Sequence, residues 1–132
     1  MASLLVVDDE PRIRTVLNRS LSAQGHTVYE AADGQAALDQ LDSREMDLVL
    51  LDLAMPRCGG LDVLSVLKDR DSSPPVIVLT AVTEISARIQ ALDRGAVDVV
   101  AKPFSAMELS ARIRRHLHQE ISVPAGERRY LV

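Results

Sequence analysis

LVLLDLAMPRCGGLDVL, residues 48–64, is the stretch on which the fold turns. Leu48–Leu51 is a short apolar run with no polar residue breaking it, the signature of a strand buried on both faces. The run stops at an acid, Asp52. Beyond it Leu61, Leu64 and Leu67 follow the spacing of one helix face. Four more units of this kind surround it. Apolar runs stand at Leu4–Val7, Thr27–Ala31, Val76–Leu79 and Val97–Ala101. Ile13, Val16, Leu17 and Leu21 mark a helix, with Pro11 where its first turn should begin and Gly25 just past its end. Ala37, Leu38 and Leu41 mark another. Ile85, Ile89 and Leu92 mark a fourth, closed by Gly95, and Leu109, Ile113 and Leu117 a fifth. The order is (βα)5, and right-handed crossovers then predict an α/β doubly wound domain: a parallel sheet with helices on both faces.

Composition narrows the possible functions. The chain has 132 residues, enough for one domain with its own core, and a net charge of −4. A free-standing nucleic-acid binder would usually be basic, so DNA binding by this domain alone is not expected. The aromatics are Tyr29, Phe104 and Tyr130, too few for a base-stacking surface. The single cysteine, Cys58, cannot form an internal disulfide and has no Cys or His partner at zinc spacing, in keeping with a reducing, cytoplasmic setting. Leu4–Val7 is too short for a signal peptide, and no run of about 18 apolar residues predicts a membrane span.

In an open parallel sheet, ligands bind beyond the carboxyl ends of the strands. There the sequence places Asp8, Asp9 and Glu10 after the first strand, Asp52 after the third, Thr80 after the fourth and Lys102 after the fifth. Asp33 and Gly34 after the second read as an ordinary loop. Each residue alone has a plain reading: a helix cap for the acids, a turn for Thr80, a solvated charge for Lys102. Together they predict three aspartates, a hydroxyl and an ammonium converging on one rim. Two carboxylates ~4 Å apart repel by about 4 kcal/mol at an effective dielectric near 20. Such a cluster needs raised pKa values or a cation. Lys102 supplies one charge, and oxygen ligands with open water positions suit Mg²⁺. A carboxylate beside Mg²⁺ can attack a phosphoryl group, with metal and lysine offsetting charge on the transferring oxygens.

LLVVDDE (4–10), LVLLDLAMPRCGGLDVL (48–64), VIVLTA (76–81) and GAVDVVAKPF (95–104) closely resemble the receiver domains of two-component response regulators, chemotaxis-type receivers included. The resemblance implies a flavodoxin-like sheet of strand order 2-1-3-4-5 and a phosphorylation-dependent signalling switch rather than a turnover enzyme. It implies phosphoryl transfer from a phosphohistidine on a sensor histidine kinase to Asp52. Asp9, Asp52 and the backbone carbonyl of Ala54 would ligate Mg²⁺, and Asp8 would act largely through water. Lys102 would bind a phosphoryl oxygen, Thr80 would move as the switch, and Lys102–Pro103 would be cis.

Some positions depart from the family pattern. Val99 stands where receivers usually carry an aromatic ring that follows the threonine inward. Ala54 and Val82, two residues beyond Asp52 and Thr80, offer no group to guide a hydrolytic water, which predicts slow self-dephosphorylation. Arg88, Asp98, Glu108 and Arg112 occupy positions that form cross-dimer ion pairs in winged-helix members. The expected pairs are Arg88–Glu108 and Asp98–Arg112, through a face made of helix 4, strand 5 and helix 5. His116 and His118, two apart, do not share a helix face and are not expected to pair on a metal. Arg112, Arg114, Arg115, Arg128 and Arg129 form a modest basic run, read as solvated surface.

Two other functions compete. An aspartyl phosphohydrolase usually carries a second acid two residues after its nucleophile, where this chain has Ala54. A binding module indifferent to phosphorylation fits Val99 but not the full set of acids, threonine and lysine. The expected domain spans residues 1–119. Residues 120–132 lose the helical pattern at Pro124–Gly126 and read as a tail or the start of a linker, as in a receiver cut from a longer protein.

Overall fold

The structure, a computed structural model, describes residues 2–55, 59–70, 72–81 and 85–120. Strand and helix alternate throughout: β1 (Ser3–Val7), α1 (Pro11–Ala23), β2 (Thr27–Ala31), α2 (Gly34–Ser43), β3 (Leu48–Asp52), α3 (Gly60–Lys68), β4 (Val76–Ala81), α4 (Ile85–Asp93), β5 (Asp98–Lys102) and α5 (Ala106–Glu120). The strands form one parallel sheet in the order β2-β1-β3-β4-β5. This is the flavodoxin-like arrangement the sequence predicted. The bond between Lys102 and Pro103 is cis.

Successive strand residues point to opposite faces, so each central strand feeds two cores. Leu4, Val6, Leu48, Leu50, Ile77 and Leu79 pack with Leu17 and Leu21 of α1 and Leu109 and Ile113 of α5. Leu5, Val7, Val49, Leu51, Val76 and Val78 pack with α2, α3 and Ala91 of α4. β1, β3 and β4 are nearly or fully buried. The edge strands β2 and β5 are not, because each has a neighbour on one side only. Local signals set the helix ends. Pro11 opens α1, the Asp33 carboxylate accepts from Ala36 N–H at 2.8 Å to cap α2, and Gly25 and Gly95 turn the chain out of α1 and α4 at φ 96° and 100°.

The apolar face expected for α4 is corrected. Ile85, Ile89 and Leu92 are 63%, 56% and 52% exposed, and the residue α4 buries is Ala91. Ala87 and Ala91 lie at helical spacing on another side, where Ala91 packs into the core and Ala87 is half-buried. Val16 of α1 is likewise 63% exposed, because the buried residues of that helix are Leu17 and Leu21, with Ile13 half-buried beside them. Val97 lies just outside β5 and is exposed.

Candidate phosphoacceptor and metal site

Strand register brings the site together. Val7 lies level with Leu51, so Asp8, the next residue, comes level with Asp52 at the end of β3. Asp52 lies opposite Leu79, placing Thr80 one residue further along β4, and Lys102 closes β5 opposite Ala81. Strands β3 and β4 run slightly past their apolar runs and β5 sits one residue later than its own, so Asp52, Thr80 and Lys102 are strand residues rather than loop residues.

Asp8 is fully buried and Asp52 and Thr80 nearly so, whereas Asp9 stands exposed at the rim. Asp8, Asp9 and Asp52 each offer a carboxylate oxygen, and these lie within 4.8 Å of one another. Lys102 Nζ sits between the two buried acids, 3.2 Å from Asp52 Oδ1 and 3.3 Å from Asp8 Oδ2. Asp52 Oδ1 also accepts Ala54 N–H at 3.3 Å. Burial, with the Asp8 charge behind it, pushes the Asp52 carboxyl above its ordinary range, and Lys102 only partly offsets this. For Lys102 burial works downward, but the charges of Asp52 and Asp8 outweigh it and hold the ammonium above its usual value. One lysine is therefore not enough to balance the cluster. An all-oxygen set with one open, solvent-facing side fits a hard divalent cation such as Mg²⁺.

Gly60 opens α3 directly behind this site. A Cβ there would lie 2.6 Å from the Asp52 carbonyl oxygen and 2.8 Å from Leu53 Cα, so only glycine lets the helix start against the end of β3. Val99 is half-buried against the core of the α2–α4 face. Ala54 is exposed, while Val82, Cys58, the tail residues 121–132 and the side chain of His118 lie outside the described residues.

Asp98, Glu108 and Arg112 of the α4–β5–α5 face are paired within the chain. Arg112 Nη1 donates to Asp98 Oδ1 at 2.7 Å and its Nη2 to Glu108 Oε2 at 3.2 Å. His116, buried, adds a contact to Asp98 Oδ2 at 3.2 Å. Burial works to raise the Asp98 pKa, but Arg112, His116 and the Val99 N–H together hold it below the ordinary value. The Asp98–Arg112 pair expected between two copies thus already exists inside one, and Glu108 meets Arg112 as well. Arg88 is half-buried on α4. The role of His116 escaped the sequence reading, because nothing in spacing ties a helix residue to an acid at the start of the preceding strand.

The fold defines a flavodoxin-like domain whose acids, hydroxyl and lysine gather on one rim of the sheet. The chain belongs to the response regulator receiver domain family, whose profile matches residues 4–114, and so to two-component signalling. It is 45% identical over 116 residues to the response regulator MprA of Mycolicibacterium vanbaalenii, covering 88% of this chain and 50% of that protein. It is also 45% identical over 116 residues to the probable transcriptional regulator ycf27 of Porphyridium aerugineum, covering 88% and 48%. The crystal structure of the receiver domain of NtrX from Brucella abortus superposes with a TM-score of 0.82 at 35% identity, covering 87% of this chain and 98% of that one. The chain spans about half the length of the curated relatives it matches. Among the described residues no helix is long and apolar enough to cross a membrane.

Proposed function

We propose that the chain is a phosphorylation-dependent cytoplasmic switch that accepts a phosphoryl group on Asp52 from a phosphohistidine of a sensor histidine kinase. A single observation carries the reading. Two buried carboxylates share one lysine at 3.2 and 3.3 Å, and a third, exposed carboxylate completes an oxygen set within 4.8 Å. An Asp52 carboxylate oxygen attacks phosphorus. The O–P bond forms as the P–N bond to the histidine breaks, and the electron pair leaves on the imidazole nitrogen. Lys102 Nζ binds a phosphoryl oxygen and holds part of its charge. Asp9, Asp52 and the Ala54 carbonyl would hold Mg²⁺, with Asp8 acting largely through water. When bound, the ion supplies the positive charge that ionised neighbouring carboxylates and a phosphoryl group both require.

Thr80, buried at the end of β4, is the group that follows the phosphoryl oxygen. Val99, level with Val78 and two residues back along β5 from the partner of Thr80, has no ring to bury, so the movement reaches the surface through packing rather than through an aromatic swing. Ala54 offers no acid or base, in keeping with a long-lived acyl phosphate and with self-limited chemistry rather than turnover. The output face is α4–β5–α5. Its exposed Ile85, Ile89 and Leu92, with Arg88, Asp98, Glu108 and Arg112, suit a homodimer contact that phosphorylation strengthens. The chain acts as the receiver part, residues 1–119, of a longer regulator, and residues 120–132 begin the link to an effector. The name of the Porphyridium relative supports control of transcription as the output, with no nucleic acid bound by the receiver itself.

Val99 also favours a second reading, a receiver-fold module whose partner binding ignores phosphorylation. Incubation with Mg²⁺ and a small acyl phosphate donor, followed by intact mass, tests the switch. One added phosphoryl group, absent in Asp52→Asn, is expected. No addition under conditions that saturate Mg²⁺ contradicts it.

A further inference from the structure

We propose that Arg14 is a positioning residue of the metal site: from α1 it grips the main chain of Asp8 and so fixes where Asp8 and Asp9 present their carboxylates. The inference rests on the proposed reading of this rim as a Mg²⁺ site, held by Asp9, Asp52 and the Ala54 carbonyl with Asp8 acting through water.

Arg14 lies in the first turn of α1 with its side chain 18% exposed. Its Nη1 donates to the Asp8 carbonyl oxygen at 2.7 Å, the shortest polar contact made to this acidic turn. The Asp8 N–H donates in turn to the Ala31 carbonyl at 3.1 Å. The Asp8 carboxylate accepts Glu10 N–H on Oδ1 at 2.9 Å and Lys102 on Oδ2 at 3.3 Å. Asp8 is thus held at its amide, its carbonyl and both carboxylate oxygens. Asp9 is exposed, and the peptide that joins it to Asp8 is the one Arg14 holds, so the direction of Asp9 follows from that grip.

Arg14 is itself anchored. Its Nε meets Glu30 Oε1 at 3.2 Å, Glu30 Oε2 accepts Asn18 Nδ2 at 2.7 Å, and Asn18 Oδ1 accepts the Ser22 hydroxyl at 2.8 Å. Glu30 directly precedes Ala31, the acceptor for Asp8 N–H. One strand, β2, therefore anchors both sides of the Asp8 main chain, one directly and one through the guanidinium. A planar guanidinium suits this task, because its Nε and Nη1 donors are locked in one plane and serve two acceptors at once.

Two other roles for Arg14 make different predictions. A cation acting by charge alone repels Mg²⁺, so its removal tightens Mg²⁺ binding. A staple between α1 and β2 alone sets melting temperature and leaves the affinity of folded molecules unchanged. A positioning role weakens Mg²⁺ binding when the donor is lost, as partners of metal ligands commonly do by 10–100-fold. Titration calorimetry with Mg²⁺ alone distinguishes them on wild type, Arg14→Met and Glu30→Gln, with melting in EDTA to confirm folding. Arg14→Met keeps the apolar stem and is expected to bind Mg²⁺ about tenfold more weakly. Glu30→Gln, which keeps Arg14 but loosens its anchor, is expected to bind about threefold more weakly. Mg²⁺ binding as tight as wild type, or tighter, in folded Arg14→Met overturns the inference alone. If that variant does not fold, an unchanged constant in Glu30→Gln overturns it. A wild-type chain that takes up no Mg²⁺ overturns both this inference and the proposed function.

Discussion

Asp52 is costly to the metal-free protein. Its carboxyl is buried beside Asp8, and burial raises its pKa above the ordinary carboxylate value. An acid whose pKa rises on folding destabilises the fold above that raised value, and the cost fades as pH falls toward the unfolded value. Asp52→Asn is therefore expected to melt higher than wild type in EDTA at pH 7, with the gap closing as pH falls through the raised value and gone by about pH 4. Thermal melts across pH check this; a variant that melts lower than wild type at pH 7 contradicts the crowding argument. The residues of this site were legible because each sits one step past an apolar run, and in a parallel sheet those steps share one rim. Arg14 and His116 were not legible. Their partners, the Asp8 carbonyl and Asp98, lie across element boundaries, and no periodicity links a helix residue to a main-chain oxygen in the loop before it.

At the scale of elements, the start of α3 is the tightest constraint. The Asp52 carbonyl and Leu53 Cα stand 2.6 and 2.8 Å from where a Cβ of residue 60 would lie, and backbone yields less readily than a side chain. Gly60→Ala is expected to lose about 1–3 kcal/mol in denaturant unfolding, as overpacked sites do. Because the displaced atoms belong to the site, it should also weaken Mg²⁺ binding. Strand and helix order was readable from the alternation of apolar runs with helical spacing, and boundaries fell within a few residues of the structure. The orientation of α4 was not readable. Ile85, Ile89 and Leu92 and the pair Ala87 and Ala91 both follow helical spacing, and hydrophobicity alone favours the larger stripe. The fold chose the smaller one, leaving three large apolar side chains in water.

For the whole molecule, that exposed stripe beside the Asp98–Arg112–Glu108 pairs makes α4–β5–α5 the surface where a second copy is expected. Ile89→Glu is expected to leave the monomer within about 0.5 kcal/mol of wild-type stability, as exposed substitutions do. It should abolish the association that a phosphoryl mimic with Mg²⁺ is expected to induce on gel filtration. A wild-type chain that stays monomeric at high concentration with the mimic bound rules this dimer out. Global architecture was the most legible level, since right-handed crossovers leave few ways to arrange five βα units.

The central claim is that one carboxylate, that of Asp52, takes the phosphoryl group while Asp8 and Asp9 serve the metal. Borohydride reduction of the phosphorylated chain, which converts an acyl phosphate to an alcohol, followed by peptide mapping, tests it most directly. Reduction confined to Asp52 is the predicted result; reduction at Asp8 or Asp9, or at no aspartate in a chain that has gained phosphate, would contradict the account.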